Sequence, residues 1–337
     1  SEMCIRDRSY EVGIDLRFFR NRLGIDYTFA RQNVVDQIFQ VPLAGSTGVG
    51  YLMMNGGKVH TVSHELVLDF SPVAMNNFLW DINLNFSRIN NYVDELAPGV
   101  ESIYIGGFTI PQVRAGIGST YPVIYGVSFV RDDQGKIVVE DDPGSPNHGF
   151  PLTGEPAVIG SVSPDFILGA NSTLSYKNIS LNALFEWKQG GQMYSGSNGL
   201  LDLYGMSART EDRESTFIFD GVKPDGAPND IARGGPSDPG ALQDLYVNVL
   251  SNIDEYYIHG NSFVKLRELS LGYRPPKRLF DKVDTRISVF ARNILLWTEL
   301  ENFDPESSQG NTNMGGAFER FSMPQTTSYG FNLDITF

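Results

Sequence analysis

The sequence predicts an all-β protein that forms part of an antiparallel barrel in a membrane. Segments of about ten residues alternate between apolar and polar side chains, as strands with one apolar face and one polar face do. Turn-forming residues separate these segments, and the chain holds 35 glycines and 18 prolines. No apolar run is long enough for a transmembrane helix, whereas a strand needs only about 9–11 residues to cross a bilayer.

The segment Thr326–Phe337 shows this alternation most clearly. Its apolar positions, all of one parity, are Tyr329, Phe331, Leu333, Ile335 and Phe337. Small or polar residues stand between them, and the apolar side begins and ends in an aromatic residue, as expected of a strand with both ends at membrane interfaces. We predict the closing strand of an outer-membrane barrel. By resemblance to other such barrels, these five residues are expected to act as the barrel-assembly signal.

At the other end of the chain, two alternating segments predict a β-hairpin. Tyr10–Arg20 and Leu23–Arg31 flank the short turn Asn21-Arg22, and so short a turn is typical of the periplasmic side. Ser1–Arg8 does not join the alternation and is interpreted as a non-native leader. Residues 9–337 are then barrel without a signal peptide, which indicates the C-terminal portion of a longer protein.

Other alternating segments predict further strands. They are Val34–Val41, Lys58–Ser71, Leu79–Tyr92, Tyr121–Arg131, Lys136–Glu140, Leu168–Lys177, Ile179–Lys188, Ser262–Tyr273 and Thr285–Leu296. Turns are expected at Ser71-Pro72 and Asp132–Gly135, and the whole spacing suggests roughly a dozen strands or slightly more. Asp94–Thr120, Asp141–Pro164 and Gly190–Gly240 are expected to be long extracellular loops, with a short helix at Ala241–Leu250.

Composition and motifs exclude several functions. The net charge of −14 argues against nucleic-acid binding, which needs a surplus of Lys and Arg. Cys4 is the only cysteine, so no disulfide framework or thiolate metal site is expected. The sequence contains no nucleophile elbow, P-loop or dinucleotide-binding fingerprint. We therefore predict neither an enzyme nor a cofactor.

Two groups of polar residues resemble metal or catalytic sites but have simpler explanations. His60 and His64 are four residues apart, and in a strand that spacing separates two rings by about 13 Å, too far to share one metal ion. Asp132-Asp133 and Asp141-Asp142 are most simply explained as solvated turns. A pair of glycosidase carboxylates needs a separation that sequence alone does not give.

Aromatic residues fall into two classes. Those in the predicted strands, such as Trp80, Trp187 and Phe331, are expected to form the girdles of a membrane barrel. Four others lie in the predicted loops and are candidates for contact with a ligand, although they can equally pack the loops together. These four are Tyr104, Phe108, Tyr194 and Tyr204.

One run of residues identifies a family. Ser262–Phe280 reads SFVKLRELSLGYRPPKRLF and is followed by a second strand at Val289–Thr298 and an acidic loop. The motif positions are Lys265, Leu266, Arg267, Leu271, Gly272, Tyr273, Pro276, Arg292, Asn293, Asp304, Pro305 and Glu306. With these motifs the sequence resembles the C-terminal half of SusC/RagA-type TonB-dependent outer-membrane transporters, from Tyr10 to Phe337.

This resemblance implies an architecture and partners. The family has a barrel of roughly 22 strands with a plug in its lumen, a SusD-like lipoprotein lid, and energy supplied by the TonB complex. Its cargo is oligosaccharides or peptides. The sequence lacks the plug and the TonB box, so on its own it is not expected to function. Arg267 and Arg292 are expected on the lumen wall, since a charge facing lipid costs about 2–4 kcal/mol at the midplane.

A secreted soluble β-sandwich that binds or cleaves carbohydrate is the alternative hypothesis. It would also show alternating strands and acidic, aromatic-rich loops. The two hypotheses differ in the surroundings of Tyr329, Phe331 and Leu333. A sandwich would bury these side chains between two sheets, and a membrane barrel would leave them on its outer face.

Overall fold

The structure is a computed structural model that describes residues 5–42, 45–108, 110–276, 284–309 and 316–336. Its strands, in chain order, are β1 (Arg6–Phe18), β2 (Leu23–Pro42), β3 (Tyr51–Met75), β4 (Phe78–Glu95), β5 (Ser102–Gly107), β6 (Gln112–Gly116), β7 (Val123–Phe129), β8 (Thr153–Ser161), β9 (Pro164–Tyr176), β10 (Ile179–Gly190), β11 (Gln192–Ser195), β12 (Thr216–Phe217), β13 (Arg233–Gly234), β14 (Ile258–Gly260), β15 (Phe263–Tyr273), β16 (Asp284–Thr298), β17 (Phe318–Glu319) and β18 (Ser328–Thr336). The helices are α1 (Gly196–Leu203) and α2 (Ala241–Asp244), with a π-helical turn at Leu245–Val249 and 3-10 turns at Gly45–Thr47, Ala208–Thr210, Leu250–Asn252 and Asp254–Tyr257.

Nine strands form one large antiparallel sheet, which we call the wall. Their order is β1-β2-β3-β4-β9-β10-β15-β16-β18. The connections at 19–22, 76–77 and 177–178 are short and join one end of the strands. Those at 96–163, 191–262 and 299–327 are long and join the opposite end. Outer-membrane barrels have this asymmetry, with short periplasmic turns and long extracellular loops.

The strand register places like residues side by side on each face of the wall. One row runs through Phe331, Val289, Leu271, Leu181, Leu174 and Trp80 on six neighbouring strands. The next row, on the opposite face, contains Asn332, Ser288, Gly272, Ser180 and Ser175. Because side chains alternate along every strand, one face of the wall is apolar and the other is polar.

The apolar face is exposed. Tyr329 is 76% exposed and Phe331 78%, and Leu333 and Ile335 are also exposed. No second sheet covers these described residues, so the structure contradicts the β-sandwich hypothesis. An apolar surface that extends across a whole sheet requires an apolar environment, and a lipid bilayer provides one. Phe337, the terminal residue of the predicted assembly signal, lies outside the described residues.

The predicted long strands are confirmed, with small changes in their bounds. The β1–β2 hairpin turns at 19–22, and β1 begins at Arg6, inside the octet interpreted as a leader. The turn expected at Ser71-Pro72 is wrong, because β3 continues to Met75 and the chain turns at Asn76-Asn77. The register shifts between Phe70 and Val73, so Pro72, which has no N–H to donate, lies in an irregularity of the ladder.

The prediction of a dozen or more wall strands is also wrong. Tyr121–Arg131 contains β7, which belongs to a separate four-stranded sheet with the order β5-β6-β7-β8. The other three strands of that sheet lie in segments expected to be loops. The expected strand Lys136–Glu140 makes only isolated bridges. β5 and β6 are short, and β7 has buried residues on both of its faces and so lacks the alternation that marks a wall strand.

We call the structure on the long-connection side the loop layer. It comprises the four-stranded sheet, a three-stranded sheet with the order β14-β11-β17, and the helices. The helix expected at Ala241–Leu250 is confirmed, and it packs in a core with Phe129, Phe150 and Ile253. A second core surrounds Val113, Ile124 and Phe318. The loop expected at Gly190–Gly240 is therefore wrong in part, since it includes α1 and the short strand β11.

Candidate functional site

The polar face of the wall carries a set of charged residues close to the loop layer. Glu186 on β10 pairs in register with Lys265 on β15, and both face the polar side. Arg267 follows at an irregularity of the ladder between Leu266 and Glu268. Its guanidinium lies 2.9 Å from Glu186, so Arg267 faces the lumen and contacts a carboxylate of the neighbouring strand, as predicted.

The connection between β16 and β17 places two more carboxylates on these cations. The Lys265 ammonium donates to Glu306 Oε2 at 2.5 Å and to Asp304 Oδ1 at 3.4 Å. Arg267 donates to both oxygens of Glu306. We call Glu186, Lys265, Arg267, Asp304 and Glu306 the charge network. Its effect is to attach an extracellular loop to the inner face of the wall.

Burial and pairing oppose each other at Glu306. Burial alone would raise the pKa of this carboxyl, but hydrogen bonds from Arg267 and Lys265 outweigh burial and hold the pKa below its ordinary value. The Asp304 carboxylate accepts two backbone hydrogen bonds, from the Glu306 N–H at 3.0 Å and from the Gln325 N–H at 3.1 Å. Glu306 therefore stays ionised at neutral pH.

The other predicted motif residues lie near the network or on the wall. Arg292 faces the polar side and donates to Glu268 at 2.8 Å, in an exposed pair. Asn293 has a positive φ of 51° and donates to Thr326 O. Leu266 is buried, Leu271 and Tyr273 are exposed on the apolar face, and Pro276 follows the end of β15. The Pro305 carbonyl lies 3.2 Å from the amide nitrogen of Asn261 when that amide is oriented to accept from Lys188.

Gly272 has a steric reason to be glycine. A Cβ at this position would lie 2.6 Å from Ser180 Oγ on the neighbouring strand, and the Arg286 side chain is also within 3.5 Å. Sequence reasoning found the motif but not this contact, nor the contributions of Glu186 and Gln325. Glu186 stands far from the motif in sequence and is recognised only through the strand register, whereas Gln325 lies in the connection before β18.

The aspartates and histidines that resemble metal or catalytic sites in the sequence have ordinary structural partners. Asp132 Oδ1 accepts from the N–H groups of Gln134 and Lys136, and Asp142 caps Gly144 in the same way, which confirms both as turn residues. His60 and His64 both lie on β3 and have separate partners. His60 contacts Asp94 at 2.8 Å, and His64 contacts the Tyr27 hydroxyl at 2.8 Å.

The structure brings two of the four candidate loop aromatics together. Phe108 and Tyr194 line a cavity of about 190 Å³ between α1 and the connection from β5 to β6. Tyr257 and Arg320 line the same cavity, and sequence reasoning missed both. Tyr104 is exposed and donates to the Gly107 carbonyl at 3.1 Å. The ligand-contact hypothesis for these aromatics stays a prediction.

Tyr204 lies in a different cavity, beside a buried carboxylate. This cavity of about 180 Å³ is also lined by Asp202, Arg213 and Tyr246. The Asp202 side chain is fully buried, and its oxygens make no hydrogen bond among the described residues, although Arg209 Nη2 lies 3.2 Å away. Burial raises the pKa of Asp202, an effect that the nearby charge of Arg209 only partly offsets.

The aromatic residues of the wall occupy the positions expected of two girdles. Trp80 and Phe331 lie in the same row near the short turns. Trp187 lies on the same face of β10, six residues beyond Leu181, which belongs to that row. At about 3.3 Å per residue this is a separation of roughly 20 Å along the strand, or about 15 Å across the membrane for a strand tilted by about 40°.

Among the described residues, no group of three or more His, Cys, Asp or Glu side chains is arranged to hold a metal ion. No helix in this part of the chain has the length and apolar character required to cross a membrane.

Comparison with known proteins identifies homologues over nearly the whole chain. No family model matches the sequence. TonB-dependent receptor P3 of Formosa agariphila is 26% identical over 356 residues, which cover 97% of this chain and 34% of the receptor. TonB-dependent receptor SusC of Bacteroides thetaiotaomicron is 19% identical over 317 residues, covering 90% of this chain and 30% of SusC.

The chain is a homologue of the TonB-dependent receptors. Two solved structures share its fold, both of the RagAB peptide importer, in its closed-closed state (TM-score 0.69, 18% identity) and its open-open state (TM-score 0.70, 19% identity). They cover 99% and 98% of this chain and 35% and 34% of the solved chains. The two-faced wall of this TonB-dependent receptor homologue agrees with the barrel fold of these structures. It spans about a third of the length of its relatives.

Proposed function

We propose that the chain supplies part of the wall and extracellular loops of an active outer-membrane importer, with oligosaccharides or peptides as cargo. The single observation that carries the proposal is the wall itself, apolar across one face and polar across the other. The apolar face would contact the lipid bilayer, and the polar face would contact an aqueous lumen. Homology to TonB-dependent receptors supports active import, and the RagAB importer shares the fold.

In this proposal the chain performs no bond chemistry. A SusD-like surface lipoprotein captures cargo above the loop layer, and the TonB complex supplies the energy that moves a plug. Cargo then passes along the polar face of the wall. The charge network contributes by holding the loop at 299–327 against that face, so that the loop stays fixed as cargo passes.

The first and last strands of the wall, β1 and β18, indicate that the chain is part of a longer polypeptide. β1 and β18 each pair with only one strand among the described residues, and an open strand edge is not tolerated in lipid. We propose that both edges pair with strands from the remainder of the protein. That remainder would also carry the plug and the segment that contacts TonB, since the relatives are about three times as long as this chain.

Fractionation of the full-length gene product tests the proposal. Expressed in a bacterium with an outer membrane, it should sediment with the envelope, require detergent for extraction and migrate differently before and after heating. Recovery in the soluble periplasmic or secreted fraction would reject a membrane barrel. Uptake assays in the same cells, with and without an active TonB complex, then distinguish active import from passive diffusion.

A further inference from the structure

The cavity that contains Phe108 and Tyr194 has the size and walls of a binding site for one ring. Its volume of about 190 Å³ exceeds the roughly 150 Å³ of an engineered apolar cavity that accepts benzene. The aromatic walls support one another. Tyr194 meets Tyr257 and Phe318 edge-on, with centroid separations of 6.4 and 5.9 Å, and Phe108 meets Phe318 edge-on at 5.6 Å. These contacts fix the ring faces before any ligand arrives.

Gly199 keeps the cavity open. It lies within α1, where glycine lowers helix stability relative to alanine. The fold does not require glycine here, because a Cβ would meet only Tyr194 Oη and the Tyr257 ring at 3.8 Å, an ordinary contact distance. Its φ is not in the left-handed region either. A side chain larger than methyl would extend into the cavity, so the advantage of glycine here is the space it leaves.

Arg320 provides a positive charge at the same cavity. Its side chain is exposed, and the guanidinium carbon lies 5.6 Å from the centre of the Phe108 ring. No salt bridge or side-chain hydrogen bond links this guanidinium to another described residue, although the chain has 40 acidic residues against 26 Lys and Arg. A cation left without a carboxylate in so acidic a chain is available to an anionic ligand.

The Tyr194 hydroxyl adds a polar group to the lining. Burial and the charge of Asp254 raise the pKa of Tyr194 to about 12, and Arg320 partly offsets this, so the hydroxyl stays protonated and can donate. The Ser251 hydroxyl donates to the Val247 carbonyl at 2.6 Å, and its oxygen can still accept. The Tyr257 hydroxyl is buried, so Tyr257 contributes its ring to the cavity wall. One hydroxyl that donates and one that accepts, next to aromatic faces, suit a sugar ring, which has C–H faces and hydroxyl edges.

We propose that this cavity is a subsite for an acidic sugar residue of the imported oligosaccharide. The sugar ring packs against Phe108 and Tyr194, and its carboxylate or sulfate group pairs with Arg320. This inference rests on the proposed import function and narrows its cargo to anionic glycan. A guanidinium binds either oxyanion through two parallel hydrogen bonds, so uronic acids and sulfated sugars share the required chemistry.

The test is binding of the purified full-length protein, in detergent, to an array of neutral, uronate-bearing and sulfated oligosaccharides and acidic peptides. We expect retention on acidic oligosaccharides, with the uronate and sulfate arms showing which oxyanion is preferred. Arg320→Gln should weaken binding about tenfold or more, because a charge-assisted pair is lost. Gly199→Leu should block the cavity and abolish retention.

Controls distinguish binding at this subsite from nonspecific electrostatic binding, and they test the subsite independently of the import function. Arg88→Gln removes the same charge from an exposed position on β4, outside the loop layer, and should leave binding unchanged. Preference for neutral oligosaccharides or peptides, no retention on any probe, or equal binding by wild type and Arg320→Gln would overturn the subsite. Energy-dependent uptake of a neutral glycan or a peptide would still uphold import, so the two proposals fail separately.

Discussion

Lys265 and Glu306 join the wall to the loop layer, with Lys265 Nζ 2.5 Å from Glu306 Oε2. The Lys265 side chain is 3% exposed, so its charge is almost completely removed from water. Glu306 also receives Arg267, which itself contacts Glu186 on the next strand. The Glu306 carboxylate thus joins its loop to Lys265 and Arg267 on β15, and Arg267 in turn contacts β10.

Removing the lysine should loosen this loop. Lys265→Met leaves Asp304 without its cation and Glu306 with Arg267 alone, and breaking a buried pair costs up to about 3–5 kcal/mol. We expect faster proteolysis within 299–325 in the full-length protein. Arg292→Gln is the matched control, because its pair with Glu268 is exposed and worth at most about 1 kcal/mol. Equal proteolysis rates for the two variants would contradict the role of the network.

Substitution by arginine should reduce folding at one position of β15 and leave it unchanged at the neighbouring position. Leu269→Arg places a charge on the apolar face, two residues from the Leu271 row towards the middle of the strand, at a cost of about 2–4 kcal/mol if this level meets the middle of the bilayer. Ser270→Arg places the same charge on the polar face, where water solvates it. The heat-modifiable folded fraction of the full-length protein should fall for Leu269→Arg alone. A larger loss for Ser270→Arg would reverse the assignment of the faces.

Asp202 should make the loop layer less stable as the pH rises. Its folded pKa is raised above the ordinary 3.8 by burial, so between these two values the folded state holds a proton that the unfolded state has lost. Stability is therefore greatest below about pH 4 and falls as the pH rises through the folded pKa. Asp202→Asn should remove this dependence. We expect the variant to melt at the same temperature as wild type or higher at pH 8, measured by circular dichroism in detergent.

The same comparison at pH 4 provides the control for Asp202. More of the wild-type carboxyl is protonated at pH 4 than at pH 8, and the protonated form resembles the amide, so the difference between the two melting temperatures should shrink. Clear destabilisation of Asp202→Asn at pH 8 would mean that the ion pair with Arg209 outweighs the cost of burial.

The outward aromatics of β18 are predicted to guide barrel assembly. Tyr329→Ala with Phe331→Ala should slow the appearance of folded barrel in pulse-labelled cells and leave the polar face intact. Ile287→Ala with Val289→Ala truncates two outward residues of β16, the partners of Leu333 and Phe331, and controls for lost lipid contact. Equal delays in both double variants would show that β18 carries no special signal.

The wall was predictable because each of its strands meets two different environments. β10 was predicted as Ile179–Lys188 and extends to Gly190, since the alternation of its residues is imposed by lipid on one side and water on the other. The short strands of the loop layer have no such contrast. In β7, Val123, Ile124, Gly126 and Phe129 are buried without a regular period, and so the strand was misassigned to the wall.

Contacts between distant segments explain the remaining failures. Asp254 accepts from the Val127 N–H at 2.8 Å across 127 residues, and no local pattern in the sequence indicates this. The charge network was predicted only as motif residues and as lumen-facing arginines, because its geometry depends on a loop folding back on the wall. Tyr257 was missed although the pair Tyr256-Tyr257 stands in a long loop, and Arg320 has no distinguishing neighbour in sequence.

The measurement that tests the central claim most directly is spin-label accessibility along β10. With Cys4 replaced by Ser, single cysteines at 179–187 of the full-length protein in lipid would carry a nitroxide. Collision rates would be measured with oxygen, which concentrates in lipid, and with a water-soluble nickel chelate. The account predicts higher oxygen accessibility at the odd positions Ile179, Leu181, Ala183, Phe185 and Trp187 and lower accessibility at the even ones. Uniform accessibility, or higher oxygen accessibility at the even positions, would contradict a wall between lipid and lumen.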